Sequence, residues 1–216
     1  MLNFEFGTMA SGKTENLIED YLTVVNDGKH ALIWNSELDS RHEGYVSSRN
    51  GELDDIQASL YKSTTNLFSK FFVELAKNGW QISNSKSGKH TFLFVDEAQF
   101  LTEQQVNQLS MLADFEDVVV NCYGLRTDFN GKLFEGSKRL FEVADNSFET
   151  KETYCRKCKT RDAIFNARFY NEELCDGEDN QIMIDDDYKI DYVPLCRVCY
   201  RNTNPLCYYY WSSGFS

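Results

Sequence analysis

Apolar residues recur along this chain with two periods. Leu2, Phe4 and Phe6 alternate with Asn3 and Glu5 before Gly7, the two-residue period of a strand. From Glu15 to Asn26 the apolar positions are Leu17, Ile18, Tyr21, Leu22 and Val25, which is helical spacing, so the chain opens as strand, loop, helix. Ala31 to Trp34 predicts a second strand. Ser36 to Gly51 is polar and charged without a clear period and reads as a loop. Leu67, Phe68, Phe71, Phe72, Leu75 and Ala76 predict a helix that ends at Asn78-Gly79. Phe92 to Val95 is an unbroken apolar run, as expected of a strand buried on both faces, and a helix over about Thr102–Ala113 and a strand over Val118–Cys122 follow. Strands alternating with helices predict an α/β fold, a mostly parallel sheet with helices on both faces. After about Thr150 the texture changes to paired cysteines, short strand-like runs, acidic loop and a closing aromatic cluster, Tyr208 to Trp211. The expected division is residues 1–150 as an α/β domain and 151–216 as a small appended subdomain, with no internal repeat of fixed period.

Composition narrows the class of activity. A chain of 216 residues can bury a core without disulfides. No apolar run approaches the ~20 residues of a membrane span, and Met1 to Phe6 carries no basic leader, so the protein is expected in the cytoplasm. The net charge of −12 argues against gripping a nucleic-acid backbone. Much of that charge lies between Asn171 and Asp191, where nine acidic residues face only Lys189; this reads as a solvated acidic loop, since the spacing does not fit an EF-hand. The seven cysteines are not a disulfide framework in such a chain. Four form two CxxC pairs, while Cys122, Cys175 and Cys207 are scattered and read as ordinary thiols.

Three motifs carry chemistry. Gly7-Thr8-Met9-Ala10-Ser11-Gly12-Lys13-Thr14 fits G-x-x-x-x-G-K-[ST] between a predicted strand and a predicted helix, the context that marks a phosphate-binding loop. In such a loop backbone N–H groups and the helix N-terminus face the ATP phosphates, Lys13 reaches the β and γ oxygens, and Thr14 offers its hydroxyl to Mg²⁺. Phe92 to Val95 runs into Asp96-Glu97, the arrangement in which the first acid serves Mg²⁺ and the second faces the reacting atoms. Without the upstream loop, two acids at a strand end would read more simply as helix caps or surface charge. Cys155-x-x-Cys158 and Cys196-x-x-Cys199 supply four thiolates for a tetrahedral, structural Zn²⁺ with no position left for substrate. A redox dithiol is the alternative for a single pair.

Taken in this order, the phosphate loop, Asp96-Glu-Ala-Gln-Phe100 and the four-cysteine module resemble the type II, zinc-containing thymidine kinase family, in a P-loop NTPase-type fold. Asp39-Ser40-Arg41 resembles the D-[ST]-R segment of that family, Tyr123-Gly-Leu-Arg-Thr-Asp-Phe129 through Phe134 resembles its G-L-R-T-D-F-x-G-x-x-F run, and Tyr192 its tyrosine before the second cysteine pair. The resemblance implies transfer of the γ-phosphoryl group of ATP to the 5′-hydroxyl of thymidine. It implies that Glu97 is the general base, that Arg41 lies near the transferred group, and that Thr14 and Asp96 partner Mg²⁺. Met9, Asp39, Gln99, Phe100, Leu125, Phe129, Phe134 and Tyr192 are the implied nucleoside contacts. For Phe129, Phe134 and Tyr192 plain core packing is the alternative. It further implies a lasso-like lid between the cysteine pairs, feedback inhibition by dTTP and a homotetramer. In the stretch Ile184 to Asp191 the glycines of many family members are missing.

Two other functions compete. A nucleic-acid-dependent ATPase with a zinc-ribbon DNA-binding module would share the loop and the acid pair, but the acidic balance and the lack of a basic stripe oppose it. A non-catalytic nucleotide-binding protein would not need Glu97.

Overall fold

The computed structural model describes residues 1–39, 44–47, 53–80, 90–150, 153–170, 173–175 and 190–203. Six strands, β1 (Leu2–Gly7), β2 (His30–Ser36), β5 (Ser59–Tyr61), β6 (Thr91–Val95), β7 (Val118–Leu125) and β8 (Asn146–Glu149), form one sheet in the order β5-β2-β6-β7-β1-β8. Every pairing in it is parallel. A two-stranded antiparallel ribbon, β3 (Tyr45–Val46) with β4 (Ile56–Gln57), lies apart from it.

The pleat sorts the side chains onto two faces. On β2, Ala31 and Ile33 join Phe94 of β6 and Tyr123 of β7 against Leu17, Ile18 and Val24 of α1 (Lys13–Asn26). Leu32 and Trp34 point the other way with Leu93, Val95, Val118 and Val120. They meet α2 (Leu67–Lys77), α3 (Glu103–Phe115) and α4 (Glu135–Val143) through Leu67, Phe71, Leu75, Val106, Leu109, Leu112 and Leu140. Helix starts are fixed locally. Asn66 accepts from the Ser69 N–H, and Thr102 with Gln105 closes a reciprocal capping box at α3.

The expected α/β class with helices on both faces is what forms. The loop expected over Ser36–Gly51 holds β3, whose Val46 is buried beneath the α1 face because Ile56 pairs with it. Beyond residue 150, β9 (Phe165–Tyr170) lies between β10 (Glu173–Leu174) and β11 (Ile190–Leu195) in an antiparallel sheet, followed by α5 (Arg197–Thr203). A separate core of Phe165, Ala167, Leu195, Tyr200 and cysteines holds this part together. Among the described residues no helix is long and apolar enough to cross a membrane. Cys122 is buried in the main core and Cys175 is half-buried, while Cys207, Ile184 to Lys189 and the closing aromatic cluster lie outside the described residues.

Candidate active site

Because the strands are parallel, the carboxyl ends of β1, β2, β6 and β7 share one edge of the sheet, where α/β proteins place their ligands. The candidate phosphate loop, Gly7 to Thr14, leaves β1 there. Gly7 is closely packed: a Cβ would stand 2.5 Å from Ser11 Oγ and 3.0 Å from the Thr150 carbonyl, so a larger residue would force the loop to shift. Gly12, at φ 85°, turns the chain into α1, and Ala10 holds φ 57°, a left-handed conformation that costs a non-glycine residue about 1–2 kcal/mol. Lys13 folds back over the loop, donating to Thr8 O at 2.6 Å and to Ser11 Oγ at 3.2 Å. Its ammonium is thereby held above the loop, while Thr14 is the second residue of α1.

The acid pair follows β6. The Asp96 N–H continues the parallel ladder to Trp34 O at 2.8 Å, and Asp96 is buried. Glu97 departs from the ladder at φ 48°, ψ 40°, a left-handed turn at the end of β6. Its own N–H bonds to Asp96 Oδ1 at 2.9 Å. Burial pushes the Asp96 carboxyl up to about 7, the Glu97 carboxylate adds to the rise, and the Glu97 N–H and the Lys13 ammonium oppose it. Asp39, buried after β2 and joined to Asn35 Nδ2 at 3.2 Å, raises it further. Lys13, Asp39, Asp96 and Glu97 thus act electrostatically on one spot, although they come from three loops. Such a concentration of carboxylates around a buried one is what a divalent cation relieves, so the donor set fits Mg²⁺.

Gln99 links this spot to the next loop. In the short 3-10 turn Ala98–Phe100 its Nε2 donates to Glu97 Oε2, and its Oε1 accepts from the Leu125 N–H at 2.9 Å. Gly124 is required by that approach: a Cβ there would meet Gln99 Oε1 at 2.7 Å. The Tyr61 hydroxyl donates to the Glu97 carbonyl at 3.3 Å from beneath.

Of the expected aromatic contacts, Phe100 and Phe134 meet edge to face with centroids 6.2 Å apart. Phe129 is buried, its carbonyl accepts from the Tyr200 hydroxyl, and the Arg168 guanidinium lies 3.6 Å over its ring. Tyr192 stands opposite Arg168 in the β9–β11 ladder and is half-buried. Met9 donates its N–H to Asn166 Oδ1 at 2.9 Å. Arg41 lies outside the described residues. Tyr61, Asn166 and Arg168 were not singled out from the sequence, because nothing in their local spacing distinguishes them from ordinary strand residues.

The Sγ atoms of Cys155, Cys158, Cys196 and Cys199 all lie within 4.8 Å of one another. Thiolates at about 2.3 Å from a tetrahedral zinc stand about 3.8 Å apart, and Cys158 and Cys196 are 3.9 Å apart. Hydrogen bonds from Thr160 bring the Cys158 thiol down to about 6, whereas burial and the neighbouring thiols push Cys199 up to about 12. Four crowded thiols cannot all ionise without a cation among them, and the donor set can hold zinc.

The sequence profile of the family described as Thymidine kinase matches residues 1–200. The thymidine kinase of Haemophilus influenzae (strain ATCC 51907 / DSM 11121 / KW20 / Rd) is 35% identical over 201 residues, covering 93% of this chain and 95% of that protein. The thymidine kinase of Photorhabdus laumondii subsp. laumondii is 34% identical over 92% of this chain and 91% of its own length, and that of Vibrio vulnificus (strain CMCP6) 35% identical over 92% and 95%. With a profile match over nearly the whole chain and relatives of this identity, the chain belongs to the thymidine kinase family.

Proposed function

We propose that this protein is an ATP:thymidine 5′-phosphotransferase acting in the cytoplasm in salvage of pyrimidine deoxynucleotides. The observation that carries this reading is the meeting of Lys13, Asp96 and Glu97 at one edge of the sheet in a chain of the thymidine kinase family. The loop from Gly7 to Thr14 holds the phosphates of ATP, with the Lys13 ammonium against the β and γ oxygens. Thr14 and Asp96 hold the Mg²⁺ that accompanies ATP, which when bound neutralises phosphate charge. Glu97, oriented by Gln99, accepts the proton of the thymidine 5′-hydroxyl; the oxygen bonds to the γ-phosphorus as the bond to the bridging oxygen of ADP breaks. Arg41 stabilises the transferred group. Met9, Leu125, Phe100, Phe129, Phe134 and Tyr192 surround the base, and Asp39 and Gln99 complete the nucleoside site.

The chain divides in function at residue 150: the α/β domain, 1–150, carries ATP, and 151–216, stapled by a structural zinc on the four cysteines, covers the nucleoside and excludes water. The distinct core of the cysteine module supports this division. Inhibition by dTTP and assembly as a homotetramer belong to the same reading.

A transfer assay with γ-labelled ATP, Mg²⁺ and each nucleoside in turn tests donor and acceptor together. Label is expected in dTMP, with ATP consumption dependent on thymidine. Consumption that is indifferent to thymidine and stimulated by DNA would overturn this in favour of the motor reading.

A further inference from the structure

The cysteine module grips the phosphate loop by its backbone. Asn166, in β9 and 4% exposed, accepts the Met9 N–H with Oδ1 at 2.9 Å. Thr153, two residues before the first cysteine, donates its hydroxyl to Ala10 O at 2.7 Å. These two bonds bracket the Ala10 residue held at φ 57°, one on the peptide group before Met9 and one on the carbonyl after Ala10's left-handed turn. A third tie runs from the end of β7, where Arg126 Nη2 donates to Ile164 O at 3.0 Å, two residues before Asn166. Thr8, Arg126, Thr127 and Asn166 line one cleft between the loop and the module.

The geometry has a chemical meaning. An N–H taken by Asn166 is not available to a phosphate, so Met9 is the point at which the loop is attached to the module, just ahead of the amides that face the nucleotide. A left-handed alanine relaxes toward a helical or extended backbone unless its neighbours hold it, and relaxation here would re-aim the amides that follow, Ser11 to Lys13. The holding groups both come from more than 140 residues away, since the bonds span 143 and 157 positions.

We propose that Asn166 and Thr153 are positioning residues through which the four-cysteine module sets the nucleotide-binding conformation of the phosphate loop. This deepens the reading of Gly7 to Thr14 as the ATP site and rests on it. The module therefore governs affinity for ATP as well as covering the nucleoside.

The test uses the full chain with its metal content measured throughout. Thr153→Val keeps shape and removes the donor, Thr153→Ser keeps the donor, and Asn166→Leu keeps approximate size and removes the acceptor. Dissociation constants for ADP and ATP are measured by equilibrium binding, alongside KM for thymidine, melting temperature and zinc stoichiometry. Loss of one such hydrogen bond is expected to weaken nucleotide binding about three- to ten-fold in Thr153→Val and Asn166→Leu. Thr153→Ser is expected to bind as the parent does, KM for thymidine is expected to stay unchanged in both Thr153 variants, and zinc content in all three. Unchanged nucleotide affinity in Thr153→Val overturns the proposal, whether or not Asn166→Leu folds. So does a loss that Thr153→Ser shares. Lys13→Ala separates the two layers: if it too leaves nucleotide binding intact, the phosphate-loop reading itself falls.

Discussion

Replacing Glu97 with glutamine isolates the proton acceptance proposed for it from everything else that this residue does. Both side chains present the same Cβ at φ 48°, so the backbone strain is common to both, and Gln keeps an oxygen for the Gln99 Nε2 donor. What changes in the fold is a charged acceptor becoming a neutral one, which costs about 1 kcal/mol. What changes in the chemistry, on the role proposed for Glu97, is the base. Its removal lowers kcat by about 10²- to 10⁴-fold, equivalent to about 2.7–5.4 kcal/mol in the barrier. The catalytic effect therefore exceeds the structural one, and affinities for ATP and thymidine move little. Glu97→Gly provides the contrast: it relieves the left-handed strain of about 1–2 kcal/mol and loses a hydrogen bond of similar size, so stability stays within about 2 kcal/mol while turnover collapses. Rapid-quench single turnovers with γ-labelled ATP give the chemical step, and thermal melts give the fold. A Glu97→Gln enzyme whose chemical step is rate-limiting yet within tenfold of the parent would refute the general-base role and leave Glu97 as a turn-forming cap.

Two further outcomes follow from the same site. Gly124→Ala places a Cβ 2.7 Å from Gln99 Oε1 and 3.0 Å from Gln99 N, so the strut beneath Glu97 must shift; kcat should fall more than KM rises, with about 1–3 kcal/mol of stability lost in denaturant titrations, and a parent-like kcat would show that Gln99 does not position the base. The Asp96 carboxyl, raised from 3.8 to about 7, binds its proton more tightly folded than unfolded, so its contribution to the stability of ligand-free protein is full below about pH 4 and is lost as pH rises through about 7. Asp96→Asn should flatten that part of the pH dependence in urea melts at pH 5.5 and 8, and an unaltered profile would contradict the burial of the charge.

Elements with a clear pattern were legible from their own residues: β1, α1, α2 and α3 by the period of their apolar positions, and β6 by its unbroken apolar run. β5, α4 and β8 were not. α4 begins Glu135-Gly-Ser, a poor helical start, and is fixed by packing so close that a Cβ on Gly136 would lie 2.6 Å from Ala98 O. β8 is exposed along its whole length and exists because β1 offers it a backbone edge. The site divides in the same way. The candidate phosphate loop, the acid pair and the cysteine pairs stand out in the sequence because each is a set of residue types at fixed spacing, and the structure gathers the four cysteines into one cluster. Asn166, Tyr61 and Arg168 act through partners 157, 36 and 39 positions away, and no local pattern marks such a partner.

The strand that is made first waits longest for its neighbours. Leu2 pairs with Val120 on one side of β1, and Asn3 with Asn146 on the other, so both flanks of this strand come from more than 115 residues further along the chain. At translation rates of roughly 5–20 residues per second, Leu2–Gly7 leaves the ribosome roughly 6–24 s before β7 exists. During that interval its apolar face has no sheet to join, and closing so long a loop places this fold among the slower ones. Nucleotide can stabilise only a chain that already holds the loop in place. With Gly7 to Thr14 as the proposed ATP site, a nascent chain shorter than β7 has no such site to be rescued by, and ATP is expected to assist folding only after synthesis of β7.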